Sequence, residues 1–199
     1  MYPEAHSRGF SLIEVVLFIV VVAIGFVSLF MLHASTASTM VDPLVRKQVL
    51  ALASAFMEEI QVRGFTYCDP DDANVYTASS ATVGPNGCST TVESLGLESG
   101  ESYAARSSLD NVNDYQKVPG PDLTMSGVGI TDITGTAISA TGGLNGYTVT
   151  INVANIAAGE LPLVTDTNDA LRITVTVTGP AGVNISLRSY RLRYAPNSP

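Results

Sequence analysis

The apolar positions of this chain follow three different rhythms, and each asks for a different partner. From Val15 to Leu32 only Gly25 and Ser28 break an apolar run, and after Glu14 no Asp, Glu, Lys or Arg recurs until Asp42. About 20 such residues make a helix long enough to cross the roughly 30 Å hydrocarbon core of a bilayer. Beyond Asp42 the pattern turns amphipathic, with Val45, Val49, Leu52, Phe56 and Ile60 falling on one helix face. Asp42 suits the N-cap, Pro43 the first helical position and Gly64 the stop. A rod over residues 10–62 would measure about 80 Å at 1.5 Å per residue, kinked or briefly interrupted at Pro43.

Near the C-terminus the period becomes two. "YTVTINVAN" puts Tyr147, Val149, Ile151 and Val153 on one face, and "LRITVTVTG" turns Leu171, Ile173, Val175 and Val177 inward with Arg172 opposite. Gly179, Pro180, Ala181 and Gly182 then turn the chain into "VNISLRSYRLRYA". There Val183, Ile185 and Leu187 are odd but Tyr190, Leu192 and Tyr194 are even, so a bulge or bend is expected near Arg188 and Ser189. The three runs predict an antiparallel meander on which the amphipathic helix lays its stripe, an α+β fold. Arg46, Lys47, Glu58, Glu59 and Arg63 would form the solvated side of that helix. Between Ala78 and Gly146, Gly, Ser, Thr, Asn and Asp dominate, which predicts short strands and long surface loops.

Charge and composition narrow the chemistry. Ten basic residues against 18 acidic, formally −8, leave no basic stripe for a phosphate backbone, so nucleic acid is not an expected partner. The two histidines, His6 and His33, flank the apolar run, which leaves the rest of the chain without an imidazole base. No nucleophile elbow, Walker loop, paired metal motif or Gly-rich dinucleotide turn occurs, and a non-enzymatic role is expected. With Arg8 and His6 before the apolar run, the positive-inside rule puts the N-terminus in the cytoplasm and the bulk of the chain outside the inner membrane. Cys68 and Cys88, the only cysteines, then read as a disulfide closing a loop of about 20 residues, with free thiols as the alternative. A zinc site would need two further ligands.

Glu14 is the anomaly. The apolar run followed by Ser35, Thr36 and Ala37 also fits a secretory signal peptide, but its single Arg8 faces Glu4, the run is long, and Glu14 interrupts its start. A carboxylate in hydrocarbon costs about 2.5–3.5 kcal/mol even on mild insertion scales. A cut between Gly9 and Phe10 would remove that cost. Glu14 would become the fifth residue, favoured by the helix dipole, and could pair with the new amino group of a neighbouring subunit.

The stretch "RGFSLIEVVLFIVVVAIG" resembles the N-terminal signature of type IV pilins and type II secretion pseudopilins, over about the first 25 residues. The resemblance implies a pilin fold, with a long N-terminal helix, half transmembrane and half amphipathic, packed on an antiparallel sheet head. It also implies a leader at 1–9, a transmembrane or filament-core half-helix at 10–41, an amphipathic half at 42–64 and a β-rich head at 65–199. Prepilin peptidase would cut after Gly9 and N-methylate Phe10, and Glu14 would set register during assembly. "FTYCDPDDAN" and "LDNVNDY" resemble stretches of D-type minor pilins of mannose-sensitive haemagglutinin (MSHA) pili.

Partners implied are other pilin subunits, the peptidase, the inner-membrane assembly platform and lipid. The chain would sit in the inner membrane before assembly and in the pilus or its tip or initiation complex afterwards; adhesion to a carbohydrate or surface is a third reading, carried by no particular residue. A type II secretion pseudopilin, or a membrane-anchored periplasmic binding protein or enzyme, stands as the alternative. No cofactor is required. Asp69, Asp71, Asp72 and Asn74 offer hard oxygens to calcium, which some pseudopilins bind, but the spacing is not that of an EF-hand loop and Asp-Pro-Asp-Asp reads first as a turn. In "RSSLDNVNDYQKV", Asp110, Asn111, Asp114 and Tyr115 read as a structural loop with one aromatic anchor.

Overall fold

The computed structural model describes residues 9, 11–38, 43–138, 144–194 and 196–197, with the backbone alone for 32–38 and at 128. Phe10, His6, Asp42 and the expected leader up to residue 8 lie outside the described residues. The chain divides into two units between Pro43 and Leu44.

The first unit holds α1, Leu12–Ser38. Its window Leu12–Met31 is long and apolar enough to cross a membrane, with a mean hydropathy of 2.9 and none of it buried. Ser28, the polar interruption, donates its hydroxyl to the Ile24 carbonyl at 2.9 Å, which satisfies it inside the helix.

The second unit holds all of α2 (Pro43–Gln61) but its first residue, and this helix buries Val49, Ala53, Phe56, Met57 and Ile60. Its partner is a four-stranded antiparallel sheet in the order β1 (Leu123–Ser126), β2 (Thr148–Asn155), β3 (Ala170–Thr178) and β4 (Asn184–Leu192). Val149 pairs with Val177, Ile151 with Val175 and Val153 with Ile173, so the alternation of both strands feeds one inner face. Each such side chain stabilises the fold by roughly 1.5–3 kcal/mol relative to exposure, and together they form the helix-on-sheet core. The helix comes close at Gly179, where an added Cβ would lie 2.6 Å from Val49 Cγ2. The α+β expectation thus stands, with a fourth strand, β1, which is of the short kind expected between Ala78 and Gly146, at a position the sequence pattern does not assign.

Two expectations fail. The predicted bulge near Arg188 and Ser189 is absent: β4 pairs with β3 without interruption from Ala170–Leu192 to Thr178–Asn184. Ser189 and Arg191 simply continue the inward face of Ile185 and Leu187, because the end of α2 supplies polar partners. Gln61 donates to the Ser189 hydroxyl, and Arg191 Nη2 donates to the Arg63 carbonyl at 2.9 Å. The even residues Tyr190 and Leu192 face solvent. Nor is the middle of the chain a set of surface loops. Leu109, Val112, Tyr115 and Ile130 are fully buried and join the main core.

Candidate functional site

Three places carry the residues singled out above: the start of α1, the disulfide loop, and the segment 106–118 with the acids around it. At the first, Glu14 lies in the first turn of α1, and its backbone N–H donates to Ser11 O at 3.0 Å. Its side chain is exposed, as is Gly9, around which an added Cβ would meet nothing within 4 Å. A carboxylate at this position faces the positive end of the helix dipole.

In the head, Cys68 and Cys88 form a disulfide and are fully buried with Val75 and Ala78 in a small second core. Asp72 fastens the loop they close. Its Oδ1 accepts from the amides of Asn74 (2.8 Å) and Ser89 (2.9 Å), and its Oδ2 from those of Thr90 (2.7 Å) and Thr91 (2.9 Å) and from the Thr90 hydroxyl (3.1 Å). Burial works against the charge, but the amides prevail and hold this carboxyl well below the usual carboxylate range. Asp69 Oδ1 accepts from the Asp71 amide at 2.7 Å and Asn74 Nδ2 donates to the Gly87 carbonyl at 3.0 Å. The hydrogen bonds are those of a turn, and the four residues do not form one ligand set: Asp72 is committed to amides, while Asp69 and Asp71 approach Asp110 instead.

Segment 106–118 is fastened from two sides. Asn111 Nδ2 donates to the Thr66 hydroxyl, which donates to the Cys68 carbonyl, each at 2.6 Å. Arg106, only 1% exposed, forks onto Glu59 of α2 through Nε–Oε1 (2.7 Å) and Nη2–Oε2 (3.1 Å), and also donates to Thr131 Oγ1 and O, both at 2.9 Å. Its guanidinium lies over the Phe56 ring at 4.8 Å. Tyr115 donates its hydroxyl to the same Glu59 at 3.0 Å, and burial and that carboxylate push its phenol up. Glu59 is therefore not on the solvated side of α2, as its spacing suggested; a cation from a distant loop reaches it.

Around this segment the acids converge. One oxygen each from Glu93, Glu98 and Asp114 lies within 4.8 Å of the others, and the same holds for Glu101, Asp110 and Asp114 and for Asp69, Asp71 and Asp110. Burial first, then the mutual repulsion of the carboxylates, pushes Glu93 and Asp114 far above the usual range. Burial also raises Glu98 to about 7 against the pull of two bonds from Ser94, and raises Asp110 to about 6 with help from Glu101, Asp69 and Asp71. Beside Glu93 and Asn113 opens a cavity of about 550 Å³, also lined by Phe65, Tyr67, Asp169 and Arg193. Sequence reasoning missed Glu93 and Glu98 and took Asp114 for a turn former. The available signal was the run "VESLGLESGES", three acids in a segment without a single Lys or Arg.

Compared with known proteins, the chain matches no protein-family model, no curated protein and no solved structure.

Proposed function

We propose that this chain is a minor pilin of a type IV pilus, of the MSHA-like class, with a structural and not an enzymatic role. In this reading prepilin peptidase cuts after Gly9 and methylates Phe10, and the subunit leaves the inner membrane for the filament or its tip complex. Until then α1 spans the membrane with its N-terminus in the cytoplasm and the head in the periplasm. The fold would be of the pilin type, with α1 and α2 as successive parts of the N-terminal helix and the sheet as its head.

The observation that carries this is Glu14. It sits in the first turn of an apolar helix whose window to Met31 holds no other Asp, Glu, Lys or Arg. A membrane anchor has no use for a carboxylate there, whereas an assembling helix does. A partner's new α-amino group would neutralise Glu14, and the pair would fix the stagger between neighbouring helices. The buried disulfide fits a head that folds outside the cytoplasm.

The test is the intact mass and N-terminal sequence of the chain expressed with prepilin peptidase. A chain beginning at methylated Phe10 is expected, and one beginning at Met1 or near Ser38 would discard the reading. Glu14→Ala should leave cleavage intact but deplete the subunit from sheared pili on an immunoblot; undiminished incorporation would remove the register argument.

A further inference from the structure

We propose that Glu93, Glu98 and Asp114, together with the side-chain carbonyl of Asn113, form a binding site in the head for a hard divalent cation of calcium's size. The first ground is convergence: one oxygen from each carboxylate lies within 4.8 Å of the others. Two ligands on opposite sides of one calcium ion lie about 4.8 Å apart at most, since each stands about 2.4 Å from it.

The second ground is independent of clustering. Among the described residues, Glu93 Oε1, Glu98 Oε2, Asp114 Oδ1 and Asn113 Oδ1 are buried and receive no hydrogen bond. Asp114 is wholly buried, Asn113 is 4% exposed and Glu93 6%. Two of the carboxylates are held by their other oxygen: Ser94 donates its amide (3.2 Å) and hydroxyl (3.0 Å) to Glu98 Oε1, and the Asn111 amide donates to Asp114 Oδ2 at 2.6 Å. Each is thereby oriented with one oxygen left over, as an outer shell of hydrogen bonds orients ligands at metal centres.

No ion pair among the described residues reaches any of the three acids. Arg193, across the cavity, stacks on Phe65 and Tyr67 and donates to the carbonyls of Thr66 and Asn168, while its Nε lies 4.0 Å from Asp169 Oδ1 and makes no hydrogen bond among the described residues. Ionised, the three carboxylates are acceptors only and cannot satisfy one another; protonated, Glu93 and Asp114 share a hydrogen bond that serves that pair alone. A proton shared by Glu93 and Asp114 would serve two, and a second proton, on Glu98, would be needed for the rest. A divalent cation held by the three carboxylates replaces those protons and offsets the charge, and Asn113, next to Asp114 and lining the cavity beside Glu93, is the fourth oxygen proposed. An all-oxygen set excludes a soft-metal preference, and both cysteines are in the disulfide. The cavity beside Glu93 and Asn113 gives water a way to complete the six to eight oxygens that calcium takes.

The site belongs to the head and does not depend on cleavage at Gly9. Its test uses the full chain in a non-ionic detergent, stripped with chelator at pH 7 and titrated with CaCl2, with MgCl2 for comparison. One saturable calcium site is expected, and at about 100 times its Kd the melting temperature should rise by about 5–10 °C. Glu93→Gln and Asp114→Asn should each weaken binding at least about tenfold without lowering the metal-free melting temperature, since they remove repulsion but keep shape. Should Glu93→Gln fail to fold, Glu98→Gln serves the same comparison. Asp71→Asn, on the neighbouring exposed group, should change nothing. Absence of binding at about 10 mM calcium, above the weakest extracellular sites, would overturn the proposal and leave a protonated carboxyl pair. Loss of binding in Asp71→Asn with retention in Glu93→Gln would overturn it equally, by placing the ion on the surface.

Discussion

Replacing Glu59 by leucine should destabilise the head by about 3–5 kcal/mol, much more than an exposed helix position would. The magnitude follows from what is left behind. Arg106 is 1% exposed, so without Glu59 its guanidinium keeps two bonds to Thr131 and the Phe56 ring but no anion. The Tyr115 hydroxyl, also fully buried, loses its acceptor. Arg106→Met is the gentler change, because the Glu59 side chain is 15% exposed and can recruit water; about 2–3 kcal/mol is expected. The double variant should cost less than the two singles together, with a coupling of at least about 1.5 kcal/mol. Urea midpoints at unchanged m, read from near-ultraviolet circular dichroism of the tyrosines, measure all three. A loss below about 1 kcal/mol for Glu59→Leu, or additivity within about 0.5 kcal/mol, would mean that the fork is not the clamp described above.

Reduction of the Cys68–Cys88 bond, or the double serine variant, should cost about 3 kcal/mol for the loop it closes, read as the drop in urea midpoint; an unchanged midpoint would show that Asp72 alone organises the loop. Asp72→Asn puts a donor among five donors and should cost about 2–3 kcal/mol at pH 7. Because the folded-state pKa of Asp72 is depressed, its stabilisation is complete above the unfolded value of about 3.9 and fades as pH falls below it. The gap between wild type and Asp72→Asn should therefore narrow below about pH 4, and a gap constant down to pH 2 would deny the carboxylate its role. Gly179→Ala should cost about 1–3 kcal/mol by pushing Val49 off the sheet, and a neutral result would mean that α2 has room to shift.

What the sequence disclosed was whatever repeats. Val49, Phe56 and Ile60 recur at helical spacing, and β2 and β3 alternate strictly, so burial and facing could be read from residue type. β1 is four residues long in a Ser- and Thr-rich context and offered no period to count. In β4 the inference from apolar to inward failed, because what an inward position requires is a satisfied side chain. Ser189 and Arg191 meet that requirement through Gln61 and Arg63. Glu59 was misassigned for the same reason, its partner Arg106 being 47 residues away. Tertiary pairing of this kind leaves no trace in a window of sequence.

The head is thus held together in two ways, and the contrast gives the acid cluster its meaning. The sheet and α2 are bound by apolar area, which tolerates loose specification. Segment 65–122 sends Phe65, Leu109, Val112 and Tyr115 into the main core but is fastened in place by polar groups finding partners, which its own chain supplies with economy: five donors for Asp72, the Asn111–Thr66–Cys68 relay, the Arg106 fork. In the same segment four buried acceptors at Glu93, Glu98, Asn113 and Asp114 receive no donor from the described residues. A chain able to place five donors on one carboxylate has the means to place one on each of four oxygens. Each buried acceptor left alone costs about 1–3 kcal/mol, more when charged, so the cluster is tolerable only if protons or a cation from solution complete it. Folding of the head is on this view linked to the solution around it, through pH or through calcium, and the titration of Glu93→Gln against wild type distinguishes the two.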